Sequence, residues 1–146
     1  MSKADTWENG LLLLLFNNTA FAGVGDAGGL LPSSVAGSLY VSGHTADPGD
    51  TGTQLTNECT YGSYARVAVA RSGAGFTVSA NAVQFAANVT FPTGASGAET
   101  MTHWGLGTAS SGAGKLLYKG TVTPNFVCGS GKTPIIVSGT NIITED

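Results

Sequence analysis

Hydrophobic positions follow two different patterns along this chain. Before Asn18 they run together, and five leucines lead into Phe16 without a polar interruption. From Ser38 onward apolar and polar positions alternate, most regularly at residues 83–91. A period of two is typical of a strand with one buried face, whereas a short uninterrupted apolar run also suits a buried helix. The sequence therefore predicts an N-terminal helix followed by strands.

The N-terminal helix is predicted to end near the Asn17-Asn18 pair, with Ser2 and Asp5 as candidate N-caps. Gly10 within it costs about 1 kcal/mol relative to Ala, so tertiary packing must hold the segment. Apolar side chains occupy every side of this helix, and one sheet covers only one side. We therefore expect another chain to cover the rest. The candidate protein-interface residues are Trp7, Leu11, Leu12, Leu14, Leu15 and Phe16.

The remainder of the chain predicts an all-β domain. Residues 20–38 are rich in Gly, Ala and Ser and indicate a long irregular connection. The predicted strands are residues 38–45, 65–71, 76–80, 83–91, 100–107, 116–122, 126–128, 133–138 and 141–144. With turn residues between them, they favour an antiparallel jelly-roll-like β-sandwich with one N-terminal α-helix. We predict a helical arm at residues 1–18 and a β-sandwich at residues 19–146, together forming a single globular domain.

The composition disfavours several classes of binding partner. Only 10% of the residues are charged, against about a quarter in ordinary soluble domains. The six basic residues are scattered and the net charge is −3, which disfavours nucleic acid because phosphate binding needs a clustered basic face. The apolar run at residues 11–16 is too short to direct export or to span a membrane. The abundant Ser, Thr, Ala and Gly instead suit neutral contacts with other proteins.

Two segments have the residues, but not the context, of a ligand site. Residues 129–133, Gly-Ser-Gly-Lys-Thr, resemble the end of a phosphate-binding loop. The leading glycine is replaced by Phe126, and Pro134 precedes a predicted strand where a helix should begin, so we interpret the segment as a hairpin turn. Asp47, Asp50 and Glu58 lack the spaced ladder of oxygen ligands that calcium loops use, so a solvated turn is the preferred interpretation.

Catalytic machinery is not evident either. His44 and His103 lie in predicted strands, and no Gly-x-Ser-x-Gly or His-Glu-x-x-His motif is present, so both are interpreted as structural residues. The sequence predicts no catalytic, metal-binding or cofactor-binding residue and no enzyme activity. A glycan-cleaving enzyme that uses Glu99 or Asp47 remains a minor alternative.

Cysteines and aromatic residues leave two further questions open. Cys59 and Cys128 have no partner motif, so free thiols are expected and a disulfide is the less favoured alternative. Aromatic side chains could stack on sugars in a shallow groove, although ordinary core and rim positions explain each of them singly. These aromatic residues are Tyr40, Tyr61, Tyr64, Trp104 and Tyr118.

Three segments in order resemble a known class of virion protein. They are Leu39-Tyr-Val-Ser-Gly-His-Thr-Ala-Asp-Pro-Gly-Asp50, Tyr64-Ala-Arg-Val-Ala-Val-Ala-Arg-Ser72 and residues 102–118, Thr-His-Trp-Gly-Leu-Gly-Thr-Ala-Ser-Ser-Gly-Ala-Gly-Lys-Leu-Leu-Tyr. Together they resemble the capsid cement, or decoration, proteins of short-tailed bacteriophages. The resemblance implies a jelly roll that sits as a dimer on the outer capsid surface, and it implies no catalytic or metal-binding residue.

The sequence thus leads to one main functional expectation and one alternative. The main expectation is a cement protein that is assembled in the host cytoplasm as a homodimer and binds neighbouring major capsid subunits of the virion. Many weak, repeated contacts would then reinforce the shell against the pressure of packaged DNA. The alternative is a tail-fibre module that binds a receptor or a carbohydrate. Neither nucleic acid nor a membrane is an expected partner.

Overall fold

The computed structural model describes residues 2–145. Within them lie one α-helix and nine strands. They are α1 (Asp5–Asn17), β1 (Ser38–His44), β2 (Val67–Ala70), β3 (Phe76–Ser79), β4 (Ala82–Phe85), β5 (Val89–Thr90), β6 (Ala98–Gly107), β7 (Leu116–Gly129), β8 (Ile135–Ile136) and β9 (Ile142–Thr144). The strand pairs β1–β6, β3–β4, β4–β9, β5–β8 and β6–β7 are antiparallel. The all-β fold class with one N-terminal helix is therefore confirmed.

The chain divides into two compact units, each assembled from separate stretches of sequence. The helical unit comprises the chain up to Ser38, Ala70–Ala87 and the chain from Val137 onward. It contains α1 and a three-stranded sheet in the order β3-β4-β9. The four-stranded unit comprises Leu39–Val69 and Asn88–Ile136. It contains a sheet in the order β2-β1-β6-β7 and the pair β5-β8. The boundary between an arm at residues 1–18 and a domain at residues 19–146 stays a prediction.

Helix α1 ends where the sequence predicted but begins differently. Asn18 adopts the left-handed conformation, with φ 53° and ψ 36°, and its N–H donates to the carbonyl of Leu13. This residue can cap the helix because Asn tolerates positive φ. The N-cap is Ala4, which makes no side-chain capping bond, so Ser2 and Asp5 were wrong as N-caps. No helix in residues 2–145 has both the length and the apolar character needed to cross a membrane.

The core of the helical unit forms where α1 packs on β3 and β4. Leu12 and Phe16 lie on the same side of the helix and are almost completely buried. The ring of Phe16 meets Phe76 edge-on, with centroids 4.9 Å apart, and Phe76 in turn lies 5.7 Å from Phe85. An aromatic column therefore anchors the helix to the sheet.

The predicted single strand at residues 83–91 is two strands in different sheets. Val83 and Phe85 are buried in β4, which pairs with β3 and β9. Val89 is buried in β5, which pairs with β8. Ala87 between them is exposed, because the chain leaves one sheet there and joins another. Alternation of apolar residues continues across the break, so the sequence pattern gave no sign of it.

The two predicted strands at residues 116–122 and 126–128 are a single strand, β7, paired along β6. Met101 lies opposite Phe126, and His103 lies opposite Thr121, so the residues between Thr121 and Phe126 form an enlarged bulge. A bulge keeps both ends of the strand on the same partner although the pairing shifts register. The turn after β7 is confirmed, but β7 and β8 pair with different strands, so it does not close a hairpin.

The core of the four-stranded unit depends on one close approach between β1 and a side chain of β6. A Cβ atom on Gly43 would lie 2.2 Å from the methyl carbon of Met101. Glycine is therefore required there if Met101, which is completely buried, is to keep its place. Val41 and Leu106, on opposite strands in register, complete this layer of the core.

Candidate functional site

The predicted interaction site is the outer surface of α1. The C-terminal end of this helix is held by Arg71. The Arg71 guanidinium donates from Nη2 to the carbonyl of Leu14 at 2.9 Å and from Nε to that of Leu15 at 2.6 Å. Its Nη1 donates to the carbonyl of Ala36 at 3.1 Å. The last carbonyls of a helix lack partners within it and carry partial negative charge, so a cation stabilises them. Arg71 therefore ties the helix end to the irregular connection that follows.

The six predicted interface residues fall into two groups. Leu12 and Phe16 are buried in the core of the helical unit and offer no surface to another chain. Leu11, Leu14 and Leu15 are half-buried, and Trp7 is 38% exposed. These four residues form what we call the helix surface. Contact with another chain through it stays a prediction.

A groove of about 460 Å³ runs beside the helix surface within the helical unit. Its lining residues are Asp5, Thr6, Asn9, Gly10, Leu13, Ala20, Phe21 and Ala80. A Cβ atom on Gly10 would lie 2.5 Å from the Phe21 ring, so glycine allows this ring to lie against the helix. The Trp7 ring follows at 5.4 Å from Phe21. The groove is open and mixed in polarity, with an apolar wall fixed by aromatic packing.

Each of the two histidines contacts a hydroxyl group, as a base contacts its nucleophile: His44 contacts Ser42, and His103 Nδ1 lies 2.8 Å from Thr102 Oγ1. Ser42 Oγ lies 2.9 Å from His44 Nε2, and His44 Nδ1 lies 2.8 Å from the carbonyl of Thr56. Burial lowers the pKa of His44, so the ring is neutral, Nδ1–H donates to Thr56 and Nε2 accepts from Ser42. Ser42 and His44 are completely buried, so no substrate reaches them in this fold, whereas Thr102 and His103 are half-buried. The bond between His44 and Thr56 holds β1 against the segment that contains Thr56.

Glu58 and Arg66 form a buried ion pair in the four-stranded unit. Arg66 donates from Nε to Glu58 Oε1 at 2.6 Å and from Nη2 to Oε2 at 2.8 Å. It also donates to the carbonyls of Ala109, at 2.9 Å, and Gly112, at 2.6 Å. Its bonds to Glu58 raise the pKa of Arg66, so the guanidinium stays charged. Arg66 thus secures the glycine-rich loop between β6 and β7.

Tyr64 completes this network. Its hydroxyl donates to Glu58 Oε1 at 2.8 Å and accepts from the N–H of Gly43 at 3.0 Å. Burial raises the pKa of the Tyr64 hydroxyl, so it remains protonated. Side chains within residues 58–66 therefore satisfy one another and also bond backbone groups on two other stretches of sequence.

Two of the three carboxylates that were considered for calcium, those of Asp47 and Asp50, are paired with a lysine, and the third belongs to Glu58 in the network above. Lys119 Nζ lies 2.9 Å from Asp47 and 3.1 Å from Asp50. The hydrogen bond to Lys119 lowers the pKa of Asp47, and Asp47 raises that of Lys119. Across residues 2–145, no group of three or more His, Cys, Asp or Glu side chains is arranged to hold a metal ion.

Comparison of the chain with known protein families gives one match. A family model described as Podophage GP4 fiber I protein gp80 matches residues 2–144. The chain belongs to this family. It is a structural protein of short-tailed phage virions. No curated protein matches the chain.

Membership of the gp80 family confirms the resemblance to short-tailed phage virion proteins at that level. The family description names a fibre protein, which fits the tail-fibre alternative better than a cement protein. The second of the three segments behind the resemblance supplies Tyr64, Arg66 and Arg71, which secure the loop and the helix described above. The first and third segments supply backbone partners, namely the N–H of Gly43 and the carbonyl of Ala109. These residues contribute to the architecture of the chain.

The aromatic residues considered for sugar stacking do not form one surface. Tyr61 and Trp104 are buried, and the hydroxyl of Tyr64 is engaged by Glu58 and Gly43. Tyr40 and Tyr118 are half-buried. A groove that stacks sugars on all five residues is therefore not present in this conformation.

Sequence reasoning missed the role of the arginines. The one available signal was their scarcity, because the chain has only six basic residues and two of them flank the apolar residues 67–70. Their partners, such as Ala109 and Leu14, are backbone carbonyls distant in sequence. No residue pattern marks such partners.

Proposed function

We propose that this chain is a subunit of a fibre on the short-tailed phage particle and acts through contacts with other virion proteins, without catalysis, metal or cofactor. The observation that carries the proposal is the match to a fibre protein family over residues 2–144. The matched residues include every stretch of sequence from which the two compact units are assembled.

The distribution of charge supports a role in protein contacts. Within residues 2–145, three of the lysines and arginines form ion pairs, namely Lys3 with Glu145, Arg66 with Glu58, and Lys119 with Asp47 and Asp50. Large apolar side chains are exposed at Leu31, Val35 and Val127, by 72%, 78% and 63%. A surface that is apolar or neutral in many places can be covered by a partner at little desolvation cost.

The helix surface is the part of this proposal that concerns self-association. Trp7, Leu11, Leu14 and Leu15 offer partly exposed apolar area on one rigid element, which suits contact with a second copy. We expect a Leu11→Glu, Leu15→Glu variant to lower the mass of the purified protein in solution to that of one chain. Leu55→Glu, at an exposed leucine of the four-stranded unit, is the matched control and should leave the mass unchanged. A double variant that keeps the wild-type mass and is folded by circular dichroism overturns this part.

A cement protein is the second candidate. It is favoured by the resemblance of the three segments beginning at Leu39, Tyr64 and Thr102 to capsid decoration proteins. In this case the partner is the major capsid protein and the location is the outer capsid surface. The low charge of the chain suits this role as well, because repeated neutral contacts over a shell need only modest affinity each.

Particles that lack this chain separate the two candidates. The fibre proposal expects loss of adsorption to host cells, with survival of heat and osmotic shock unchanged. A cement role expects the reverse, namely normal adsorption and loss of resistance to heat and osmotic shock. Adding back the purified wild-type chain should restore the lost property, and the Leu11→Glu, Leu15→Glu variant tests whether the helix surface is needed. Normal adsorption by the depleted particles would refute the fibre proposal.

A further inference from the structure

Cys59 and Cys128 come together on one face of the four-stranded unit although they are far apart in sequence. Cys128 on β7 lies directly opposite Glu99 on β6. Residues in such register project their side chains to the same face, with Cβ atoms about 4.5–5.5 Å apart. Glu99 Oε1 accepts the N–H groups of Thr60 at 2.7 Å and Tyr61 at 2.8 Å. The carboxylate of Glu99 therefore holds the residues after Cys59 over the face to which Cys128 points.

A second contact fixes the backbone of Cys59. Its N–H donates to the carbonyl of Gly43 at 2.8 Å, so Cys59 is anchored to β1 on one side and to Glu99 through its neighbours on the other. Both cysteines are free thiols, exposed by 2% and 1%. Glu99 is the third polar group here, but the three side chains do not form a metal site. The two cysteines are thus a pair of buried thiols to which no other function is assigned.

Burial also protects this pair. It raises the pKa of the Cys59 and Cys128 thiols, and each thiol affects the other. A protonated, buried thiol reacts slowly because the thiolate is the nucleophile. The pair is therefore expected to stay reduced in a reducing cytoplasm and to oxidise only slowly, through local opening of the segment around Thr60.

We propose that Cys59 and Cys128 form an internal disulfide once the virion has left the reducing cytoplasm, with a small disulfide as oxidant. The thiolate of one cysteine attacks a sulfur of the small disulfide, forms a mixed disulfide and releases one small thiol. The second cysteine then attacks the mixed disulfide at the protein sulfur and releases another small thiol. Two protein thiols lose two electrons and two protons, and the small disulfide gains them as two thiols.

The cross-link would join the two stretches from which the four-stranded unit is assembled. Cys59 belongs to Leu39–Val69 and Cys128 to Asn88–Ile136, and the stretch between them includes Ala70–Ala87 of the helical unit. Closing so long a loop restricts the unfolded chain strongly, so the oxidised protein should be the more heat-resistant form. The inference concerns the folded chain itself and holds for a fibre or a cement protein alike.

Purified wild-type protein tests the proposal when it is incubated, or refolded from urea, with oxidised glutathione. Mass spectrometry after alkylation under denaturing conditions should show both thiols lost, no glutathione attached and a peptide linking Cys59 to Cys128. The melting temperature should rise by roughly 10 °C and fall back when a reductant is added. Cys59→Ser and Cys128→Ser are the controls, and neither should show a rise on oxidation.

Three outcomes would overturn the proposal. They are free thiols after oxidative refolding, glutathione retained on both cysteines, and an internal disulfide whose formation lowers the melting temperature. A double Cys59→Ala, Cys128→Ala variant keeps the test decisive if a single variant fails to fold. Its melting temperature should equal that of the reduced wild type and should not change when the oxidant is added.

Discussion

Replacing Arg66 with methionine should strongly destabilise the four-stranded unit. The Arg66 side chain is 2% exposed and that of Glu58 is 10% exposed, so the ion pair between them is shielded from water. Methionine keeps most of the length and apolar volume of the side chain while removing the charge and every donor. The carboxylate of Glu58 then keeps only the Tyr64 hydroxyl among the side-chain bonds described above, and the carbonyls of Ala109 and Gly112 lose their guanidinium donor.

The magnitude follows from leaving one buried charge without its partner. Breaking a buried ion pair from one side costs about 3–5 kcal/mol, and the loss of the donor to the partly buried carbonyls of Ala109 and Gly112 adds to that cost. A domain is stable by only about 5–15 kcal/mol, so the variant should lose a large part of its stability. With an m-value near 2 kcal/mol/M, the urea midpoint should fall by roughly 2 M.

Tryptophan fluorescence can follow this unit by itself. The chain has two tryptophans, and Trp104 is buried in the four-stranded unit whereas Trp7 lies on α1. A Trp7→Phe background therefore leaves Trp104 as the reporter of the unit that contains Arg66. Hydrogen exchange in the loop around Gly112 should also become faster in the variant, because the Arg66 guanidinium no longer donates to the Gly112 carbonyl.

Two matched variants make the result interpretable. Glu58→Gln combined with Arg66→Met removes both charges and should recover part of the loss. Together with the two single variants it should give a coupling energy of about 2 kcal/mol or more. Lys119→Met breaks an ion pair that faces water and should change the midpoint little. If Arg66→Met shifts the midpoint no more than Lys119→Met does, the buried network does not stabilise the fold as argued.

Three further predictions concern His44, Gly10 and Leu12. The folded-state pKa of His44 is lowered, so the contribution of His44 to stability is complete above the unfolded-state pKa near 6.5 and is lost as the pH falls below that value. His44→Asn should therefore make the urea midpoint depend less on pH between about pH 7 and 5.5. An unchanged pH dependence would contradict a neutral, buried His44. Gly10→Ala should fail to give the usual gain of about 1 kcal/mol in thermal unfolding, because its Cβ meets the Phe21 ring; the gain should return with Phe21→Ala, and a gain in both backgrounds would disprove the clash. Leu12→Ala should cost about 2–5 kcal/mol and the half-buried Leu15→Ala less than half of that, and equal losses in denaturant would contradict the packing of α1.

Local features of this fold were predictable, whereas the assignment of strands to sheets was not. The end of α1 was predicted because Asn18 tolerates positive φ, which depends on that residue alone. The division of residues 83–91 was missed because Val83, Phe85 and Val89 keep their inward period while the chain changes sheets. The continuity of β7 was missed because Pro124 and Asn125, within the bulge, have the composition of a turn.

The candidate site divides in the same way. An apolar helix was visible in the sequence, but which of its leucines remain accessible depends on where the sheet packs, and Leu12 proved to be core. The proximity of Cys59 and Cys128 depends on the β6–β7 register and on one carboxylate, Glu99. Contacts between residues distant in sequence are set by register and loop packing, and single-sequence periodicity carries no record of them.

A cryo-electron microscopy map of the intact phage particle tests the central claim most directly. Both units of this chain should fit density in a fibre, with helix surfaces facing neighbouring subunits and no density for a bound metal or cofactor. A chain found on the capsid shell, bridging major capsid subunits, would contradict the fibre proposal. A particle that contains no copy of this chain would contradict its role as a virion protein.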